Sequence, residues 1–325
     1  MALRLSFACG NYDRMDALKS GEVAPEGIDL DFVGIDAPRE IFDRMMGEGA
    51  FDVSELSSSE FISMTASGDR RFVAIPVFPS KAYRHGFFCI NRKAGIAAPK
   101  DLEGRRIGVP LYTQTAAVWC RGHLAEDYGV DLSGVEWVEG AVEKGGTHGT
   151  PSAPPLLRPA RIVRNETGRS LSELLAEGGI DALLGSRLPG SLRTHPDVVR
   201  LFPDFREVEK ALYRTRRIHP IMHLVAIKRE IHEADPWIAR SLYDAFEASK
   251  ALALERMRNS AAQRYMLPFL VSDLDEIDEV FGGDPWPYGV EPNRPTLEAL
   301  VRYLKDQHFI AEAMPVDSLF VPVEG

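Results

Sequence analysis

The sequence predicts an α/β protein of two lobes, each a mostly parallel sheet flanked by helices, with a ligand cleft between them. Three observations carry that expectation. The chain has 325 residues, more than the roughly 250–300 at which a single hydrophobic core stops growing. Strand-like and helix-like segments alternate from Leu3 to Val77, and the rhythm restarts after Asp101, as parallel βαβ units require. A strand-like run at His219–Lys228 then follows the second series. The order reads as a second lobe, residues 92–212, inserted into a first lobe made of residues 1–91 and 213–325.

The elements follow in order. Leu3–Ala8 alternates as a strand and exits through Cys9-Gly10-Asn11-Tyr12-Asp13-Arg14. Met15–Ser20 reads as a helix stopped by Gly21, and Ile28–Val33 as a second strand. Pro38–Met46 is a helix with proline in its first turn, ended by Gly47 and Gly49. Asp52–Leu56 is a third strand, and Ser57-Ser58-Ser59-Glu60 carries N-cap chemistry for the next helix. Phe72–Val77 is a fourth strand, and Phe87–Asn91 is apolar and strand-like. Arg105–Val109 begins the second series. Tyr112-Thr113-Gln114-Thr115 then opens a helix, Ala116–Tyr128, and Val135–Val138 is another strand. Gly140–Pro159 is rich in Gly, Pro, Ser and Thr without periodicity and reads as a loop. A helix at Ser170–Glu177 precedes the strand Ala182–Leu184, which exits into Gly185-Ser186-Arg187. After His219–Lys228 come helices at about Pro236–Met257 and at Thr296–Gln307. Sheets of this kind hold ligands at the carboxyl ends of their strands, so the loops after the strands are the candidate site.

Composition narrows the function. Lys and Arg number 38 against 48 Asp and Glu, a formal charge of −10, with 45% apolar and 26% charged residues. That excludes disordered and collagen-like chains. An acidic balance argues against nucleic acid as partner, and no apolar run approaches the roughly 20 residues of a membrane helix. A homo-oligomer stays open. The three cysteines, Cys9, Cys89 and Cys120, are odd in number and have no Cys-x-x-Cys spacing, which suits a reducing compartment. No secretory leader pattern precedes Leu3. The expected location is cytoplasmic.

Several segments carry a family resemblance. The two-lobed order, with Asp101-Leu102-Glu103-Gly104-Arg105-Arg106-Ile107-Gly108-Val109 opening the second lobe, resembles the type 2 periplasmic binding protein superfamily. Tyr83-Arg84-His85-Gly86, Trp137-Val138-Glu139-Gly140, Gly179-Ile180-Asp181-Ala182-Leu183 and Pro220-Ile221-Met222-His223 resemble one cytoplasmic branch of it, the 4,5-dihydroxyphthalate decarboxylases. The longest such segment is Asp284-Pro285-Trp286-Pro287-Tyr288-Gly289-Val290-Glu291-Pro292-Asn293-Arg294. The resemblance spans the chain in order and spacing, and is weakest in the loop around 144–160. It implies loss of one ring carboxylate from 4,5-dihydroxyphthalate to give 3,4-dihydroxybenzoate, in phthalate breakdown.

That chemistry needs no organic cofactor, because a hydroxyl para to the departing carboxylate can feed and recover the electron pair. It needs cationic anchors for a small aromatic carboxylate, and a pair of groups that titrate near neutrality. His219 and His223 are the leading acid/base candidates, since four residues apart on a strand shares one face. His85 is an alternative proton carrier. No resident cofactor is expected, and a divalent metal is left open, because no third ligand stands at an obvious spacing from the histidine pair. Arg84, at a strand exit, suits a bidentate carboxylate grip, and Arg187 with Ser186 sits at a corresponding exit. Thr113, Gln114 and Thr115 open a helix directly after a strand, a ready anion site. The same topology points to Asn11, Tyr12 and Arg14, and to Ser57 and Ser58, although serine clusters also serve as plain caps. Tyr288, beside Trp286 and Pro287, offers an aromatic wall. No nucleotide, nicotinamide or serine-hydrolase motif is present. The rival reading is a solute-binding or sensing protein that closes on a small carboxylate without chemistry, since fold alone does not decide function.

Overall fold

The computed structural model describes residues 2–323; Met1, Glu324 and Gly325 of the expected first-lobe span lie outside the described residues. Along the chain the strands are β1 (Leu3–Cys9), β2 (Ile28–Gly34), β3 (Val53–Ser57), β4 (Phe72–Lys81), β5 (Cys89–Asn91) and β6 (Arg106–Val109). They continue as β7 (Glu136–Glu139), β8 (Ile162–Arg164), β9 (Ala182–Leu183), β10 (Val198–Arg200) and β11 (Ile221–Lys228). The helices are α1 (Asp16–Lys19), α2 (Pro38–Glu48), α3 (Ser58–Ala66), α4 (Thr115–Glu126), α5 (Leu171–Glu177) and α6 (Ser191–Thr194). The remaining helices are α7 (Phe205–Arg216), α8 (Arg229–Ala234), α9 (Trp237–Arg258), α10 (Leu270–Phe281) and α11 (Arg294–Asp306).

Two mixed sheets result. The first has the order β2-β1-β3-β11-β4, and the second β10-β5-β9-β6-β7-β8. In the first, β1 pairs in parallel with β2 and β3, and only β11 runs against its neighbours. In the second, β5 is the strand that opposes its neighbours. Cys89–Asn91 therefore belongs to the second sheet, although it reads from sequence as the end of the first lobe. β5 opens the second sheet and β11 closes the first, so the strands beside the two crossings are the antiparallel ones. The lobes are pinned together at the return: on α4, the Trp119 indole donates to the Ile221 carbonyl of β11 at 2.9 Å.

Local chemistry explains the element ends. Pro38 fills the first turn of α2, and Gly49, at φ 60°, ends it in the left-handed region. The Ser170 and Glu173 side chains form a reciprocal cap on α5. Where expectation and structure differ, packing is the reason. Met15–Ser20 is a 3₁₀ turn at Asp13–Met15 followed by the single-turn α1. The strand expected from His219 starts at Ile221, because Arg217 sits at φ 55° and Pro220 has no amide to give to a ladder. Helix α7 went unread because only Leu212 of its residues is buried, so no apolar stripe announces it. β8 and β10 are three-residue edge strands, too short for alternation.

One irregularity shapes the site. β11 pairs with β4 as Val225 with Ile75, but His223 falls opposite Ser80, a register shift on each side of His223. The slack lies in Pro76–Pro79 of β4, where two prolines lack ladder donors. The freed carbonyls are taken elsewhere. Gly289 N donates to Pro76 O (2.8 Å), Trp286 Nε1 to Phe78 O (2.8 Å) and Arg14 Nε to Pro79 O (2.7 Å). A bulge of this kind re-aims the side chain at its centre, here His223.

Helix α4 meets α11 at Gly122, where a Cβ would lie 2.1 Å from the buried Tyr303 ring. Gly122→Ala should therefore lower stability by about 1–2 kcal/mol. Overpacking at about 1–3 kcal/mol outweighs the roughly 1 kcal/mol helix gain of alanine. Urea unfolding decides it, and a more stable variant would contradict the packing argument.

Candidate functional site

The strand exits of the two lobes face one cleft of about 900 Å³. Of the residues singled out from sequence, Tyr12, Ser57, Arg84, Gln114, Thr115, Ser186, Arg187 and His223 line it.

At its heart is Glu55, a fully buried carboxylate on β3. It accepts from His223 Nδ1 (2.5 Å), the Tyr12 hydroxyl (2.7 Å), Gly10 N (2.9 Å) and the Cys9 thiol (3.4 Å). Burial alone would raise its pKa, but the His223 charge and these hydrogen bonds outweigh burial and hold the carboxyl below its usual value. Tyr12 is pushed the other way, first by burial and then by the Glu55 charge, so its hydroxyl stays protonated and donating. The imidazole of His223 stands edge-on to Phe42, with ring centroids 4.9 Å apart. With Nδ1 held by Glu55, Nε2 is the nitrogen His223 offers to the cleft.

Cations surround this pair. Arg84 is 5% exposed, its Nε has no hydrogen-bond partner, and burial lowers its pKa to about 10, still charged at neutrality. Its guanidinium rests over the Phe87 ring at 4.9 Å. Arg187 is exposed on the opposite lobe. Ser186 Oγ accepts from Gln114 Nε2 at 2.9 Å, which leaves Gln114 Oε1 buried and unpartnered. Gly185, at φ 144° with Pro110 Cδ 2.7 Å from where a Cβ would stand, lets this exit pass close to the first turn of α4. Across the lobes, Thr115 Oγ1 meets Ser57 Oγ at 3.0 Å and Ser59 Oγ at 2.9 Å.

The remaining candidates do not line the cleft. His219 is buried with its ring stacked on Tyr83 at 4.7 Å and Nδ1 3.1 Å from Pro285 O. Burial drives its pKa far down. It precedes β11, so it never shares a strand face with His223. His85 is packed among His123, Phe88 and Phe202, and burial lowers its pKa to about 3. Arg14 is sandwiched between Tyr12 and Trp286 and spends its donors on the Pro79 carbonyl and, at 3.0 Å, the Asp13 carboxylate. Tyr288 is buried beneath Lys250, 4.6 Å from the ring centre, and walls no ligand. Asn11 bonds Asp36 and Lys19 at the surface. Ser58 is buried outside the cleft lining with its hydroxyl unpartnered, and Thr113 donates to Glu60 at 3.3 Å. The motif around Trp286 is thus a brace for the β4 bulge.

Sequence reading missed several cleft groups. Glu55 lies 168 positions from His223, beyond any spacing rule. Arg39 and Phe42 come from α2. His148, Lys144 and Thr147 come from the loop expected at 140–160, which crosses to the first lobe. There Arg39 binds Glu60 (2.9 Å), Asp43 (2.9 Å) and Ser152 Oγ (3.2 Å). Burial, then Arg39 and Arg187, lower the His148 pKa. A glycine- and proline-rich insert facing a cleft was the available signal. Among the described residues, no three His, Cys, Asp or Glu stand together as metal ligands, and no helix is long and apolar enough to cross a membrane.

No protein-family model matches the chain. It is 39% identical over 307 residues to a 4,5-dihydroxyphthalate decarboxylase of Comamonas testosteroni, covering 94% of this chain and 92% of that protein. It is 40% identical over 215 residues to a 4,5-dihydroxyphthalate decarboxylase of Pseudomonas putida, covering 65% of this chain and 82% of the relative. Among solved structures it resembles the periplasmic aliphatic sulphonate binding protein SsuA from Escherichia coli. The TM-score is 0.57 at 12% identity, over 98% of both chains. That likeness is one of fold, and the fold is the two-lobed periplasmic-binding-protein type.

The Glu55 carboxyl has its folded pKa depressed below the ordinary 4.5. Its stabilising contribution is complete above that value and is lost as pH falls through the folded one. Urea midpoints taken from about pH 7 down to about pH 3 should therefore fall more steeply for the wild type than for Glu55→Gln. Parallel curves would show that the carboxylate adds nothing to folding.

Proposed function

The chain belongs to the 4,5-dihydroxyphthalate decarboxylase family, and from that premise we propose that its cleft removes one carboxylate from 4,5-dihydroxyphthalate to give 3,4-dihydroxybenzoate. The observation that carries the mechanism is the His223–Glu55 pair facing a cationic cleft. A buried carboxylate on Nδ1 fixes the tautomer and stabilises the imidazolium once Nε2 accepts a proton, the logic of a general base.

Nε2 of His223 takes the proton from the ring hydroxyl para to the departing carboxylate. Electron density moves through the ring to the carbon bearing that carboxylate, which takes a proton. The carbon–carboxylate bond breaks, carbon dioxide leaves, the bonding pair restores the aromatic ring, and the ring oxygen takes its proton back from the His223 imidazolium, which returns the base to its neutral form. The hydroxyl oxygen and the protonated carbon lie at opposite ends of the ring, so donor and base must be different groups. His148, which lines the cleft from the second lobe, is the donor we favour on position; burial and the Arg39 and Arg187 charges lower its pKa, so it must first take up a proton before it can give one. Arg84 and Arg187, one from each side of the cleft, hold the two carboxylates.

The ring is its own electron sink, so the reading includes no resident cofactor. A place in phthalate breakdown follows from the substrate. Three free, buried cysteines support a cytoplasmic location. A non-catalytic carboxylate-binding role is set aside, because the relatives near 40% identity are decarboxylases, whereas the sulphonate-binding likeness rests at 12%.

Purified protein should release carbon dioxide from 4,5-dihydroxyphthalate and continue to do so in a metal chelator. No turnover, with or without added divalent metal, would overturn the reading. His223→Asn keeps a donor where Nδ1 meets Glu55 but removes Nε2. It should cut kcat by about 10²–10⁴ with little change in KM; a kcat near wild type would remove His223 from the chemistry. Arg187→Ala should instead raise KM on the order of tenfold, the worth of one charge-assisted contact, and steady-state kinetics separates the two effects.

A further inference from the structure

A second cavity, of about 680 Å³, lies further along α4 from the cleft. Its walls come from α4, β7, the end of α11 and the segment Arg158–Arg161. That volume is in the range of small-molecule sites.

Arg121 of α4 stands in its wall, only 1% exposed. Nε donates to Gln307 Oε1 (2.7 Å), Nη2 donates to the Tyr112 carbonyl (2.8 Å), and Nη1 has no partner. Its known partners are neutral, so among the described residues no carboxylate at ion-pair distance neutralises it. A buried guanidinium stays charged, and a buried charge calls for a counter-charge. The guanidinium carbon lies 3.7 Å over the Tyr112 ring and 5.4 Å from the Trp137 ring, so two aromatic residues of the cavity wall adjoin the cation.

The mouth carries a second unneutralised cation. Arg158 is exposed there, and no ion pair involves it among the described residues, whereas Arg161 and Arg302 are committed to Glu136 and Glu126. The nearby acids form no ion pair with Arg121: Glu139, whose charge does act on it, accepts from Tyr112 N at 2.6 Å instead. Glu126 is shared by Arg216, Arg302 and Tyr303, and Asp131 accepts from Ser133 N at 2.9 Å. Asp306 also lines the cavity without pairing to Arg121. His308 holds φ 64°, unusual for a residue with a side chain. Its carbonyl accepts from Leu157 N at 2.8 Å, which fixes the chain just before Arg158 at the mouth.

We propose that this cavity is a second ligand site, separate from the cleft, for a small aromatic monocarboxylate. The ring packs against Tyr112 and Trp137, and the carboxylate meets Arg121 and Arg158. Nothing in this proposal depends on the reaction in the cleft.

Benzoate is the probe. Calorimetric titration of the full chain should count two benzoate sites, one of which quenches Trp137 fluorescence. Arg187→Ala, in the cleft, should leave the quenching site intact. Arg158→Ala, at an exposed position that does not threaten folding, should weaken that site about tenfold, and Arg121→Lys should weaken it as well. A single site that vanishes in Arg187→Ala overturns the proposal. So does a second site indifferent to both Arg158→Ala and Arg121→Lys, or the absence of a second site up to about 20 mM benzoate.

Discussion

The buried Glu55 carboxylate is the constraint around which the first lobe is arranged. A charge with no solvent contact is tolerated only when every acceptor site is used. Its partners come from two distant parts of the chain: Gly10, Tyr12 and Cys9 at the exit of β1, and His223 on β11. β11 is also the strand by which the chain returns from the second lobe. The His223–Glu55 contact therefore closes the first sheet across the whole inserted lobe, 168 positions apart in the chain. The complete first sheet and the His223–Glu55 pair thus share the same strand pairing.

That contact in turn depends on an irregular strand. With regular pairing from Val225 and Ile75, His223 would lie three positions earlier on β4 than Ser80. Two prolines prevent that pairing, and Gly289, Trp286 and Arg14 take up the carbonyls it frees. The longest family-like segment, Asp284–Arg294, thus acts on the site at one remove, with Asn293 itself held by Lys81 at 2.8 Å. Tyr288 and Arg14 looked like ligand groups because they sit in chemistry-rich stretches. In the folded chain they hold the strand that aims His223.

Legibility follows from this. Alternation and turn chemistry were enough to read the strands, the order of the lobes and the exits, and the exits do face the cleft. The strand-exit rule locates a neighbourhood, but it does not say which way a side chain turns. Ser57 faces the cleft while Ser58, the next residue, is buried outside its lining; Arg84 lines the cleft while His85 enters an aromatic core. Glu55 was illegible because a polar residue on a strand ordinarily reads as solvent-facing, and its partner is too far away in sequence to suggest burial. His148 was illegible because its loop has no period. Its placement comes from contacts of Ser152 and Gly149 with Arg39 of the other lobe.

The net charge of −10 and the cationic cleft are two sides of one partition. Most arginines outside the cleft are neutralised by surface carboxylates, such as Arg294 by Asp317 and Arg258 by Asp278. Arg84 and Arg187 have no carboxylate bound to them among the described residues. Unpaired cations cost the empty protein stability, and on the proposed reading a dianionic ligand would supply the missing charge where the reaction occurs. The base stands on the first lobe, whereas Arg187 and His148 stand on the second. A ring held by both must hold the lobes at one spacing, and the loop that carries His148 is already fastened to Arg39 and Glu60 across the gap. In the proposed reaction, the lobe geometry that binds the two carboxylates is the same geometry that brings base and acid to opposite ends of the ring. On that reading, substrate recognition and proton transfer are one requirement on the lobe spacing.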